Sequence, residues 1–195
     1  MIEKLRQRAS TFPERLTRGE KEALARLAKG QSPPFMLITC SDSRILPGRL
    51  LEPDFGELFV FRNMGNIIPP IEVEKKHHTG VGAFLEYGAG KLGAKHLIII
   101  GHTDCGAVKG FLNPPRESNG FVPAYLRIGE ETRRILSEKL PSLSPEEQVL
   151  EGVRTNILVQ VRRVLEYPVI KEKGVRIHAW LYHIDSGRVE VLEER

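Results

Sequence analysis

Apolar residues arrive along this chain in two patterns. Short continuous runs mark buried strands, and wider helical spacing marks the segments between them. Phe35 to Thr39 is an apolar run ending at Cys40, as expected for a strand buried on both faces of a parallel sheet. Leu58 to Phe61 and His96 to Gly101 are two more such runs. Val175 to Ile184 alternates well enough to be a strand. Asp185-Ser186-Gly187 is a turn signal, and Arg188 to Leu192 returns as an antiparallel edge strand.

The stretches between the runs read as helices. Thr79 to Leu92 carries Val81, Ala83, Phe84, Leu85 and Ala89 at helical spacing, with Gly90 and Gly93 near its end. Gly106 to Leu112 predicts a short helix that stops before Asn113-Pro114-Pro115. Pro123 to Lys139 and Pro145 to Leu165 predict two longer ones. The second starts from Ser144-Pro145, an N-cap followed by proline at the first helical position. Residues 1 to about 29 are helical in pattern, with Leu16, Leu24 and Leu27 as contact positions and Pro13 and Gly19 as breaks. This segment has no strand partner and is expected to pack on another subunit. Gln31-Ser32-Pro33-Pro34 is a loop. Strands alternating with helices indicate an α/β fold with a mainly parallel sheet, in which sites gather at the carboxyl ends of strands. Cys40, Arg62 and His102 all lie at or just past such ends.

At 195 residues, with no linker, repeat or low-complexity tract, one domain over 1–195 is the simplest organisation. The net charge of +4 is mild and spread out, and no basic stripe interleaved with aromatics appears, which argues against a nucleic-acid partner. Leu97 to Ile100, the longest apolar stretch, is far too short to span a membrane. The N-terminus is charged and has no apolar leader, so a soluble, cytoplasmic protein is expected. In that setting the two cysteines are expected to be metal-binding or catalytic rather than a disulfide.

Both cysteines follow strands. Cys40 opens Cys40-Ser41-Asp42-Ser43-Arg44, and His102 and Cys105 lie in His102-Thr103-Asp104-Cys105-Gly106. Taken singly each is weak, since a cysteine ending a strand is more often a small buried hydrophobe. Together, two thiolates and an imidazole are three zinc ligands with a fourth position free, the pattern of a catalytic zinc. Asp42 and Arg44 can form a bidentate pair. That pair is either an ordinary loop ion pair or an outer group that orients a hydroxide on the metal.

In its motifs the chain resembles the β-class carbonic anhydrases. The resemblance runs from Gln31 to Leu192 and rests on GQSPPFM, CSDSR, GELFVFRNMGN followed by IIPP, GVGAFLEYGAGKLG, GHTDCGAVKG and a final aromatic strand with a Ser-Gly turn. It implies one Zn²⁺ per chain on Cys40, His102 and Cys105, and an Asp42–Arg44 catalytic dyad. The Gly106 N–H would bind bicarbonate. Gln31, Phe59 and Tyr87 would line a pocket partly contributed by a neighbouring subunit. The implied reaction is reversible hydration of CO₂ to bicarbonate and a proton through zinc-bound hydroxide. The implied fold is a parallel four-stranded sheet with an added antiparallel strand, in a homodimer or homotetramer whose N-terminal helices wrap the partner.

Leu37 stands where bicarbonate-switched members of this family carry tryptophan, and Gln31 is present, so the unswitched type is favoured. Asp104 between the ligands is less usual; it either faces solvent or adds negative charge near the metal. Ala107 replaces a common glycine. In this family Asp42 can leave Arg44 and take the fourth zinc position, which implies low activity at acid pH and high activity above about 8. His77 and His78, in a polar run, read as a solvated loop before they read as proton shuttles. Three rival functions remain, one of them a non-catalytic structural protein, which would require a closed zinc site or none. A COS or CS₂ hydrolase would use the same ligand strings. A thiol redox or metal-buffering protein lacks a Cys-x-x-Cys motif and leaves Asp42 and Arg44 unexplained.

Overall fold

A computed structural model describes residues 1–114, 120–138 and 140–195. Five strands form one sheet: β1 Phe35–Cys40, β2 Leu58–Asn63, β3 His96–His102, β4 Arg176–Tyr182 and β5 Val189–Glu194, in the order β2-β1-β3-β4-β5. The first four are parallel and β5 pairs antiparallel to β4. This is the sheet expected from the sequence. The central strands β1 and β3 are buried on both faces, as their continuous apolar runs require, whereas β4 alternates and β5 is an open edge.

The two faces are covered unequally. Met36, Ile38, Cys40, Leu97 and Ile99 belong to the large core, which also takes in Ile157, Val161 and Val164 of the Pro145–Val164 helix. Leu37, Ile98 and Ile100 face the other way, into a small cluster with Leu50, Leu51, Leu58, Trp180 and Tyr182. The long helix starts from Ser144 with a capping box in which Ser144 and Glu147 satisfy each other's backbone N–H.

Several boundaries differ from expectation. Gly19 does not break the arm; it lies inside the Arg18–Leu27 helix. The break falls at Leu16-Thr17, because Thr17 and Glu20 form a capping box that starts a new helix there. Pro13 occupies the first turn of the Phe12–Arg15 helix, where its missing N–H costs nothing. Thr79 to Leu92 is α-helical over Val81–Leu85 and then widens to a π-helix over Glu86–Lys91. A Cβ at Gly88 would meet Met36 Sδ at 2.4 Å, so close contact with β1 sets this turn. The segment 74–78 is not a loop: His77 ends the Ile71–His77 helix and His78 caps it in the left-handed region. The Pro123 to Lys139 helix is two, Phe121–Leu126 and Glu130–Leu136, with a 3-10 turn between, and Lys139 lies outside the described residues. The short Pro47–Leu50 and Pro168–Glu172 helices lacked the length to show periodicity.

Candidate metal centre

β1 and β3 are adjacent and parallel, so Cys40 and His102 end neighbouring strands at the same edge. A turn then returns Cys105 as the N-cap of the Gly106–Leu112 helix. Cys40 Sγ, Cys105 Sγ and an imidazole nitrogen of His102 all lie within 4.8 Å of one another, and all three residues are buried. His102 Nδ1 lies 2.8 Å from Thr103 O. A carbonyl only accepts, so Nδ1 carries the proton and Nε2 presents its lone pair. That Nε2 is buried with no hydrogen-bond partner, a costly arrangement unless something else uses the lone pair. Two soft sulfurs and an unpaired imidazole nitrogen suit Zn²⁺, and the Nδ1–H to carbonyl contact is the usual orienting bond for such a ligand.

The two sulfurs lie within hydrogen-bonding reach of each other. The Cys105 thiol beside Cys40 is the main cause that lowers the Cys40 pKa, with help from the Gly65 N–H, against the opposing effect of burial. Cys105 is pushed up, by the same shared bond first and then by burial. Its sulfur also receives the Val108 and Ala107 N–H groups at the start of the helix, which favour a thiolate.

The loop after β1 is pinned by arginines. Arg62, on β2, donates from Nε to Cys40 O at 3.0 Å and from Nη2 to Asp42 O at 2.8 Å and Ile45 O at 3.0 Å. Arg44 holds Asp42 in a fork, Nε to Oδ1 at 3.0 Å and Nη2 to Oδ2 at 2.8 Å. The Arg44 hydrogen bonds keep the Asp42 carboxyl well below the usual carboxylate range. Asp42 Oδ2 lies 3.8 Å from His102 Nε2, at the edge of the ligand group. Asp104 does not simply face solvent: its Oδ2 accepts from Arg44 Nη1 at 2.8 Å, and its Oδ1 pairs with Lys109 Nζ.

Behind Cys40 stands a buried polar scaffold. Gly65 N–H donates to Cys40 Sγ at 3.3 Å from a backbone with φ +75°, where a Cβ would also meet Ala107. The Gly65 carbonyl accepts from Asn156 Nδ2 at 2.9 Å, and Gln160 Nε2 donates to Asn156 Oδ1 at 2.8 Å. Gln160 Oε1 takes the Ile68 N–H, and Arg163 Nη1 donates to Ile68 O. The long helix thus holds the 64–68 loop against the cysteine. In sequence the only signal for this was polar residues at three positions, four and then three apart, on an otherwise apolar helix face.

The other expected site residues divide between this group and the far end of the sheet. Gly106 starts its helix beside Cys105, with open space where a Cβ would stand. Phe59 pairs with Met36 in the β1–β2 register, four residues before Cys40, roughly 13 Å down the strand. It stacks on Phe84 at 4.8 Å and contacts Tyr87 at 5.9 Å. Gln31 lines a cavity with Leu24, Leu27, Phe55 and Gly56. Within one chain, then, the strand register sets Phe59 and its neighbour Tyr87 apart from the ligand group, and Gln31 faces the arm.

The chain belongs to the carbonic anhydrase family, whose sequence model matches residues 35–189. The strand order and the structural neighbours make it a member of the β class. A carbonic anhydrase of Synechococcus elongatus is 35% identical over 196 residues, spanning 97% of this chain and 69% of that protein. The β-carbonic anhydrase CcaA superposes with a TM-score of 0.91 at 33% identity, over 98% of this chain and 95% of its own. A tetrameric β-carbonic anhydrase of Sordaria macrospora superposes at 0.77 with 28% identity, over 88% and 87%. Carbonic anhydrase activity, the hydration of CO₂, goes with this membership. Among the described residues no helix is long and apolar enough to cross a membrane.

Proposed function

We propose that this chain interconverts CO₂ and bicarbonate at a zinc ion held by Cys40, His102 and Cys105, with Asp42 and Arg44 as the catalytic dyad. The observation that carries the reading is the buried, unpartnered His102 Nε2 set among two cysteine sulfurs, with the Asp42 carboxylate 3.8 Å away. Zinc bound there would acidify water and supply a nucleophile near neutral pH. The chain's own groups do the rest. Asp42, kept ionised by Arg44, accepts a hydrogen bond from the hydroxyl of the attacking oxygen and so aims its lone pair. The Gly106 N–H, at the open start of its helix, donates to bicarbonate oxygen.

Gln31, Phe59 and Tyr87 form the substrate wall of a neighbouring subunit's site rather than of their own. Tyr87 is exposed in the single chain and the Gln31 loop adjoins the arm, which suits a homodimer or homotetramer. CO₂ needs an apolar wall, and the Phe59–Phe84–Tyr87 stack offers one. Two free buried thiols suit a cytoplasmic setting.

The test is CO₂ hydration against pH on metal-quantified protein, with COS hydrolysis run alongside. One zinc per chain and a rate rising from pH 6 to above about 8 are expected. Zinc-loaded protein that hydrolyses COS but does not hydrate CO₂ overturns the substrate. A flat profile overturns the view that Asp42 leaves Arg44 at low pH.

A further inference from the structure

We propose that Asp104 is a positioning residue for this reaction: its carboxylate clamps the outer edge of Arg44 and through it fixes where Asp42 points. The inference rests on the reading of the site given above. Arg44 offers two edges. One, Nε and Nη2, grips Asp42 at 3.0 and 2.8 Å. The other meets Asp104, Nη1 to Oδ2 at 2.8 Å and Nη2 to the Asp104 carbonyl at 3.2 Å. Lys109 Nζ holds the remaining Asp104 oxygen, so the carboxylate is fixed from both sides.

The clamp ties two different strand ends. Asp42 and Arg44 share the loop after β1, so their mutual fork ties neither to another element, whereas Asp104 follows β3 between two ligand residues. The Arg44 side chain is 42% exposed. A long, half-exposed side chain held by one exposed partner contributes little order; a forked, networked one is the exception. Asp104 takes φ +60°, a conformation uncommon for residues with a side chain and best tolerated by Asp and Asn. Asp42 Oδ2 is already 3.8 Å from His102 Nε2, so a small rotation would carry it among the ligands. Arg44 opposes that rotation, and Asp104 keeps Arg44 in place.

The experiment compares Asp104→Gly and Asp104→Asn with the parent protein, all zinc-loaded. Glycine removes the carboxylate without backbone strain. Asparagine keeps the backbone preference and one neutral acceptor. The expected result is a fall in kcat/KM of about 10- to 100-fold for Asp104→Gly and a smaller fall for Asp104→Asn, at unchanged zinc content. In ¹⁵N NMR the Arg44 guanidinium signals show hindered rotation in the parent and lose it in Asp104→Gly. If Asp104→Gly does not fold, Asp104→Asn carries the same comparison. Unchanged Arg44 signals, or freed Arg44 signals with unchanged kcat/KM, overturn the proposal. A parent protein that hydrates no CO₂ refutes the function while the NMR comparison still decides the clamp.

Discussion

The carboxyl edge of the sheet and the N-terminal arm are built on opposite principles. At the edge, Cys40, His102 and Cys105 are buried in the chain's own core, and loop, helix and arginine partners fix each of them. Along the arm, from Ile2–Ser10 to Arg18–Leu27, no residue is buried. Ile2, Leu5 and Phe12 stay exposed although the helices are well formed and the last is doubly capped. A helix that buries little of its face gains little from packing, and in water short helices are marginal alone. The metal-holding half of the site is complete within one chain. The substrate wall proposed for Gln31, Phe59 and Tyr87 would need a neighbour.

Replacing Cys40 with Ser should have the largest effect. One soft ligand becomes hard, zinc content falls, and activity drops by more than the 10- to 100-fold typical of an outer-shell partner. The arm should be unaffected, so subunit mass by sedimentation stays that of the parent. Loss of the oligomer in this variant would break the separation of the two regions.

Deleting residues 1–27 should do the reverse. Zinc content holds and the melting temperature moves by no more than about 4 °C, because the arm gives the rest of the chain only the partly buried contacts of Leu24, Leu27 and Phe12 with Phe55 and Gly56. Sedimentation shifts to smaller species at low concentration, and hydration falls with it. An oligomer as tight as the parent's would show that the arm is not what joins the subunits.

The smallest effect lies at the sheet's far edge and belongs to neither region. Hydrogen bonds from Arg154 first, then from His183, lower the Glu190 pKa to about 2. Its folded pKa is below its unfolded value of about 4.3, so its stabilisation is present above that value and disappears as pH falls towards 2. Glu190→Gln should lower the melting temperature by about 2–4 °C at pH 7, or about 1 kcal/mol, with the gap closing between pH 4.3 and 2. A gap that persists below pH 2 would mean packing, not charge, is at work. Zinc content and oligomer mass should not move.

The strands and the meeting of Cys40, His102 and Cys105 were legible in sequence for one reason. Continuous apolar runs such as Phe35 to Thr39 and His96 to Ile100 can only be buried strands, and parallel strands place their carboxyl ends together. Gly65, Asn156 and Gln160 were not legible. Their role depends on a contact across 91 residues, which no local spacing encodes. Asp104 was visible as an oddity, yet its partner Arg44 lies 60 residues away, so two readings stayed open until the loops met. Phe59 shows the same limit: a motif ties it to a site, but only the register shows how far it stands from Cys40 within the chain.

The sequence by itself determined the sheet, the three metal-seeking side chains and the Asp42–Arg44 pair, because periodicity and local spacing are properties of neighbours along the chain. Only the tertiary structure decided that Arg44 is held from both sides, that a buried amide network props the Gly65 N–H against Cys40, and that no residue of the arm's three helices is fully buried. Those outcomes depend on which distant groups come within hydrogen-bonding reach after collapse. Patterns along the chain do not specify that; packing does.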